Sequence, residues 1–353
     1  MVKALFTGQL LCVGIAGARL SRGERRAFAR FKPGAVILFK RNYDDPAHLA
    51  ALCREIHRSC QPAPLISVDQ EGGRVARLGH PFIRLAAGRA LRRQHTPAEV
   101  EELVAAMAAE LHGVGIEINF APVLDVLTNP ANQPIGERAF GTTASVVEHY
   151  GLAFMRGLLR GGVVPCGKHF PGHGMVREDS HFELPISRVS QRSLFDVHLQ
   201  PFGAAIAAGL PMIMLSHVIM PCIDPERPAS LSGAMVNEIL RRRLGFTGVV
   251  TTDDLQMAAL GRVGALDDRA AAALEAGVDL VLVCREIEDA ESVFATIGRI
   301  SRSPVMRPRI DASVGRIAAL RRLVRTLPVG RSAAFFARLR DDNDDNIVGP
   351  SGA

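Results

Sequence analysis

Short apolar runs and amphipathic stretches alternate along most of the chain. The runs are Leu10–Ile15, Ala35–Phe39, Leu65–Val68, Ile116–Phe120, Val163–Cys166, Met212–Leu215, Val249–Thr252 and Val278–Val283. Each has the length and apolar character of a buried strand. Between them, apolar residues recur at helical spacing over Pro46–Ser59, Pro97–Gly113, Ala144–Leu159, Gln191–Ala208, Gly233–Leu244 and Asp267–Ala276. Gly115, Gly162, Gly209 and Gly277 precede strands and follow helices, where a C-cap favours glycine. Eight such units predict an α/β fold, a single-domain (β/α)₈ barrel of the TIM type. The competing architecture is an open doubly wound sheet. Its G-x-G-x-x-G turn is missing, because Gly14, Gly17 and Gly23 have the wrong spacing.

The barrel is expected over residues 1–330, with a last amphipathic helix at Asp311–Val324. Residues 331–353 turn polar, with Asp341, Asp342, Asn343, Asp344 and Asp345, and this composition predicts a disordered tail.

In a barrel of this kind the residues just after each strand face the active side. Here those positions are polar: Lys40 to Asn42, Asp69 to Arg74, Asp125, the stretch after Cys166, Ser216 and His217, Asp253 and Asp254, and Arg285. Polar groups collect there far more than at the strand starts. That asymmetry points to an enzyme rather than a scaffold.

Composition narrows the function further. The chain has 353 residues and is 48% hydrophobic, ample for one large core. The net charge of +6 is spread along the chain, and with no Trp and two Tyr it lacks the aromatic interleaving of a nucleic-acid surface. No window of 18 uninterrupted apolar residues occurs, so no membrane span is expected. The six cysteines form no C-x-x-C pair and read as buried free thiols of a reducing compartment. Oligomeric state is left open.

The chemistry concentrates in Val163–Pro185, VVPCGKHFPGHGMVREDSHFELP. A strand is expected to stop at Gly167 and a Gly- and Pro-punctuated loop to follow, carrying Lys168, His169, His173, Asp179 and His181. Asp179 and His181 suit a carboxylate that orients an imidazole for acid/base work, although a solvated loop could carry the same letters. His169 and His173 could contribute to a metal site, but Pro171 and Gly172 between them exclude a helical clamp, and no metal or other cofactor is expected. Lys168 could form a Schiff base, as barrel aldolases do. Its polar neighbours favour a fixed cation that binds substrate. Asp253 and Asp254 could cap the next segment or supply a carboxylate for glycoside hydrolysis. Asp69, with Gly72, Gly73 and Arg74 or Arg77, forms a third polar cluster on a turn.

KHFPGHG, then DSH and ELP, resembles the signature of the family 3 glycoside hydrolases, in the β-N-acetylhexosaminidase branch active in bacterial peptidoglycan recycling. VDQEGGRVARL (Val68–Leu78), NFAPVLDV (Asn119–Val126), IGERAFG (Ile135–Gly141), SHVIMP (Ser216–Pro221) and GFTGVVTTDDLQM (Gly245–Met257) resemble that branch in the same order. The resemblance implies a TIM barrel. It implies Asp253 as nucleophile, His181 as general acid/base and Asp179 as its orienting partner. It further implies that Asp69, Arg77, Arg138, Lys168 and His169 bind an N-acetylglucosamine unit. The nucleophile follows Thr251-Thr252 where the family more often has Phe-Ser. GQLLCVGIAG resembles the family's first strand, so the apolar N-terminal stretch after Lys3 reads as barrel rather than signal peptide, and a cytoplasmic protein is expected. The implied reaction is retaining removal of terminal β-linked N-acetylglucosamine from muropeptide fragments. A β-glycoside phosphorylase or β-glucosidase is the alternative, and a Schiff-base lyase or aldolase on Lys168 the more distant one.

Overall fold

The computed structural model describes residues 4–180 and 183–328. Eight parallel strands close a barrel in sequential order: β1 Leu11–Gly14, β2 Ala35–Leu38, β3 Leu65–Val68, β4 Ile118–Asn119, β5 Val164–Phe170, β6 Met212–Leu215, β7 Val249–Asp254 and β8 Leu280–Val283. Closure is made by β1 against β8, with Leu11, Cys12 and Val13 in register with Val281, Leu282 and Val283. The strands read as continuous apolar runs because both faces are buried. One face lines the lumen, where Cys12, Ile37, Phe120, Cys166, Met214 and Leu282 share one cluster. The other packs on the helical ring through residues such as Val13, Val36, Val250 and Val281.

The ring contains α1 Arg22–Phe31, α2 Pro46–Ser59, α3 Pro97–Gly113, α4 Ala144–Arg160, α5 Gln200–Ala207, a π-helical segment Ala234–Arg243, α6 Leu266–Ala276 and α7 Ile287–Ile300. Helices α1 and α7 go beyond the helical spacing read from the chain. The signal for α1 was present as Ser21-x-x-Glu24, whose capping box forms in full. Gln191–Ala208, expected as one helix, is interrupted by a π-helical turn at Leu194–His198.

The larger correction concerns β5. It continues through Gly167 to Phe170, so Lys168 and His169 are strand residues and the loop begins only at Pro171. Gly167 does not break the strand. A Cβ there would come within 2.8 Å of Leu124 Cδ1 and Leu210 Cδ2, so glycine makes room for the side chains packed on both sides. The peptide bonds Lys168–His169 and Phe170–Pro171 are cis.

The last helix, α8 Met306–Thr326, crosses the end of the barrel at the strand N-termini. Its Ile317, Leu320 and Val324 join the lumen cluster, and Arg321 donates to the carbonyls of Ala63 and Gly34 at 3.1 Å each. Asp279, fully buried just before β8, ties this helix down. It accepts from Ser313 Oγ at 2.7 Å, from Arg316 at 2.8 Å, from Arg241 at 2.6 Å and from the Val250 N–H at 2.9 Å. Replacing one member of a buried pair strands the others without a counter-charge. Asp279→Ala is therefore expected to lower unfolding free energy by about 3–5 kcal/mol, read by denaturant titration, while KM at the opposite end stays unchanged. A loss below about 1 kcal/mol would mean that water replaces the carboxylate easily.

All six cysteines are free, and all but Cys222 are buried. No helix among the described residues is long and apolar enough to cross a membrane. The tail expected over residues 331–353 lies outside the described residues.

Candidate active site

At the C-terminal ends of the strands lies a cavity of about 370 Å³, lined by Asp69, Arg77, Arg138, Lys168, His169, Asp179 and Asp253 among others. Its size suits a small organic ligand. Seven of the eight site residues expected from the sequence therefore meet at one cavity. The eighth, His181, lies outside the described residues.

Each wall has a local cause. Asp69 directly follows β3 and starts a hairpin, Gln70–Gly72 against Val75–Ala76. The hairpin is pinned by Asn119 at the end of β4, which accepts from the Gln70 N–H at 2.9 Å and donates to the Gln70 carbonyl at 2.8 Å. Gly72 has φ 122°, and a Cβ there would meet the Ala86 carbonyl oxygen at 2.4 Å, so the turn requires glycine. The tight turn directs Glu71 back into the site, where it is buried.

Glu71 joins the basic residues into one network. Lys168 Nζ lies 2.7 Å from Asp69 Oδ1 and 2.6 Å from Glu71 Oε1, and its side chain is 3% exposed. Arg138 grips Glu71 with two bonds, Nε at 2.8 Å and Nη2 at 2.7 Å. Arg77 reaches Asp69 Oδ2 at 3.2 Å. Burial alone would raise the carboxyls of Asp69 and Glu71. Lys168 with Arg77 holds Asp69 below the usual carboxylate range, and Arg138 with Lys168 does the same for Glu71. Burial opposes charge on Lys168 too, but the two acids outweigh it and raise its pKa. An amine held protonated by two carboxylates is a poor Schiff-base nucleophile. The geometry thus supports the fixed-cation role for Lys168.

His169 and His173 do not converge. Their ring centroids are 6.3 Å apart, and each has its own partner. His169 Nδ1 lies 2.7 Å from Asp125 Oδ2, and His173 Nε2 lies 3.3 Å from Ser180 Oγ. Ser180, next to Asp179, is held also through its carbonyl, which accepts the Ala259 N–H at 3.2 Å. The Asp179 segment is thereby joined both to the end of β5 and to the loop after β7.

On β7 the two acids separate in character. Asp253 Oδ1 accepts the Asp254 N–H at 2.8 Å. Burial would raise the Asp253 carboxyl, but His217, His169, that N–H and Lys168 hold it below its ordinary range. Burial and the charge of Asp253 push Asp254 up to about 6 against the Gln256 N–H. His217 supports the end of the strand, with Nδ1 2.8 Å from Ser230 Oγ and Nε2 donating to the Asp254 carbonyl at 3.0 Å. Two neighbouring carboxyls pushed apart in this way fit a single nucleophile at Asp253 rather than a carboxylate dyad.

Glu71, Asp125 and His217 were legible as polar groups after strands, but nothing in the chain assigned them a partner.

Comparison with known proteins bears on this site. The family model described as "Glycosyl hydrolase family 3 N terminal domain" matches residues 6–320. A protein of Thiobacillus denitrificans named "Beta-hexosaminidase" is 42% identical over 294 residues, covering 81% of each chain. A solved family 3 β-N-acetylglucosaminidase from Paenibacillus sp. superposes with TM-score 0.88 at 35% identity, covering 94% of this chain, which spans 64% of that longer protein. The β-N-acetylhexosaminidase of Beutenbergia cavernae superposes with TM-score 0.85 at 32% identity, covering 90% of this chain and 98% of that one.

Proposed function

Since the chain belongs to glycosyl hydrolase family 3, as a glycosidase of the β-N-acetylhexosaminidase type, we propose that it releases terminal β-linked N-acetylglucosamine with retention of configuration. Asp253 attacks the anomeric carbon as His181, oriented by Asp179, protonates the departing oxygen. His181 then removes a proton from the water that cleaves the glycosyl ester. The observation that carries this reading is the ionised Asp253 facing one cavity with Asp179 and the Asp69, Lys168, Arg138 and His169 cluster. That cluster offers carboxylate acceptors beside cationic and imidazole groups, the mixture a sugar's vicinal hydroxyls require. The proposed substrates are N-acetylglucosaminyl muropeptide fragments, met in the cytoplasm during peptidoglycan recycling.

The test is turnover of p-nitrophenyl β-N-acetylglucosaminide beside the β-glucoside, with and without phosphate. Turnover of the N-acetyl substrate alone supports the proposal. A histidine in place of a carboxylate as acid/base, with Arg74 and Arg285 at the same cavity, favours one second reading, with phosphate as acceptor. A phosphate-dependent rate yielding sugar 1-phosphate would establish it. Borohydride trapping of a keto substrate on Lys168 would instead point to a lyase.

His181→Ala is expected to lower kcat/KM by roughly 10²–10⁴ for a glycoside with a poor leaving group. The loss should shrink in the first step for a dinitrophenyl glycoside, whose leaving group needs no proton. Near-normal rates on the poor leaving group would remove His181 from the acid/base role.

A further inference from the structure

We propose that Asp125, which does not line the cavity, is a positioning residue that fixes the proton of His169 on Nδ1 and so orders the sugar-binding array. The proposal rests on the reading of His169 as a sugar-binding residue. The observation behind it is the pair of partners that hold the ring from opposite sides.

Asp125 is fully buried and lies alongside β5, where Val123 bridges to Lys168 and the Leu124 N–H donates to the Lys168 carbonyl at 2.7 Å. Its Oδ2 lies 2.7 Å from His169 Nδ1 and accepts the His169 N–H at 3.2 Å. Its Oδ1 accepts the His173 N–H at 2.6 Å. Burial would raise this carboxyl, but His169 and His173 hold it below the usual range, so it is ionised. An ionised carboxylate only accepts, so Nδ1 must carry the proton. On the other side of the ring, Nε2 lies 3.3 Å from Arg138 Nη2. A guanidinium only donates, so Nε2 must be the bare acceptor. The tautomer is therefore set twice, from an acid at one nitrogen and a cation at the other.

The consequence extends beyond the ring. The nitrogen of Arg138 that meets His169 also binds Glu71, and Glu71 shares Lys168 with Asp69. Asp125, His169, Arg138, Glu71, Lys168 and Asp69 thus form a chain in which acceptors and donors alternate. With asparagine at 125, a single oxygen must serve three N–H groups. If the amide N–H turns to Nδ1, the proton moves to Nε2 and faces the Arg138 N–H. Two donors then oppose each other at the wall that meets the sugar.

The test uses the full chain with ¹⁵N-labelled histidine. In the wild type the His169 resonances, assigned by comparison with His169→Ala, should show a protonated Nδ1 and a bare Nε2. In Asp125→Asn the pattern should invert or average. On p-nitrophenyl β-N-acetylglucosaminide, Asp125→Asn should lose roughly 10²-fold in kcat/KM, the cost of a misplaced wall group. In a His169→Ala background the same substitution should cost less than about 3-fold, because a residue acting through another is non-additive with it. A wild-type His169 protonated on Nε2 would overturn the proposal even if Asp125→Asn did not fold. Equal losses in both backgrounds would also overturn it. If the wild type hydrolysed no glycoside while showing the Nδ1–H pattern, the hydrolase reading would fail and the tautomer assignment would stand.

Discussion

Asp253→Ala is expected to lose roughly 10⁴–10⁶ in kcat with little change in KM, the scale seen when a covalent nucleophile is removed. Among the described residues its carboxylate has no cation to leave stranded at contact distance. It accepts one hydrogen bond among the described residues, from the Asp254 N–H, so the fold and the cavity wall should survive the change. The prediction also separates the two neighbouring acids. Asp253 is held below the ordinary carboxylate range, whereas Asp254 is pushed up to about 6. An N-acetylglucosaminyl inactivator fluorinated at C5 should label Asp253 in the wild type and nothing in the variant. Labelling of Asp254 would move the nucleophile by one residue and remove the basis for retention through Asp253.

The second large effect is expected at Lys168. Lys168→Met keeps the length of the side chain but removes the charge that Asp69 and Glu71 share. Two buried carboxylates would then depend on Arg77 and Arg138 alone. Stability should fall by about 3–5 kcal/mol, the usual cost of breaking a buried pair. Activity should fall roughly 10²-fold or more, because the wall proposed to orient the sugar loses its central tie.

The pH dependence follows from the sign of the shifts. Asp69 and Glu71 lie below their unfolded values, so their stabilisation is present above a pH of about 4 and is lost as pH falls through the folded values. Part of that contribution disappears in the variant. Its stability deficit should be greatest near neutral pH and should shrink in acid. The acid limb of kcat/KM should move to higher pH as the two carboxyls become easier to protonate. A deficit that grew toward low pH would contradict the ion-pair assignment.

Much of the fold could be read from the chain, for a physical reason. Strands buried on both faces leave unbroken apolar runs, and all eight runs became barrel strands. The boundaries were less legible where a residue's usual preference was overridden by its neighbours. Gly167 reads as a strand end, yet Leu124 and Leu210 exclude any side chain there and the strand passes through. Helix α1 carries a complete capping box but few apolar letters among its arginines. The site divides similarly. Asp69, Lys168, His169 and Asp253 stand at strand ends, where barrel geometry alone makes them converge. Glu71 and Asp125 also follow strands, but their roles depend on Arg138, 67 residues from Glu71, and on His169, 44 residues from Asp125. Pairings of that range are set by the closed sheet and leave no local pattern.

The closure of β1 against β8 also sets a timetable for biosynthesis. Leu11, Cys12 and Val13 are translated early, yet their partners Val281, Leu282 and Val283 emerge only near the end. At ordinary elongation rates the gap is roughly 15–50 s. Throughout it, one edge of an apolar strand has no ladder partner, and α8 has not yet covered the lumen. Unpaired edges of this kind template association between chains. The nascent chain is therefore most vulnerable on the ribosome, and its yield in a cell should respond to synthesis rate and chaperone supply more than the stability of the finished barrel would suggest.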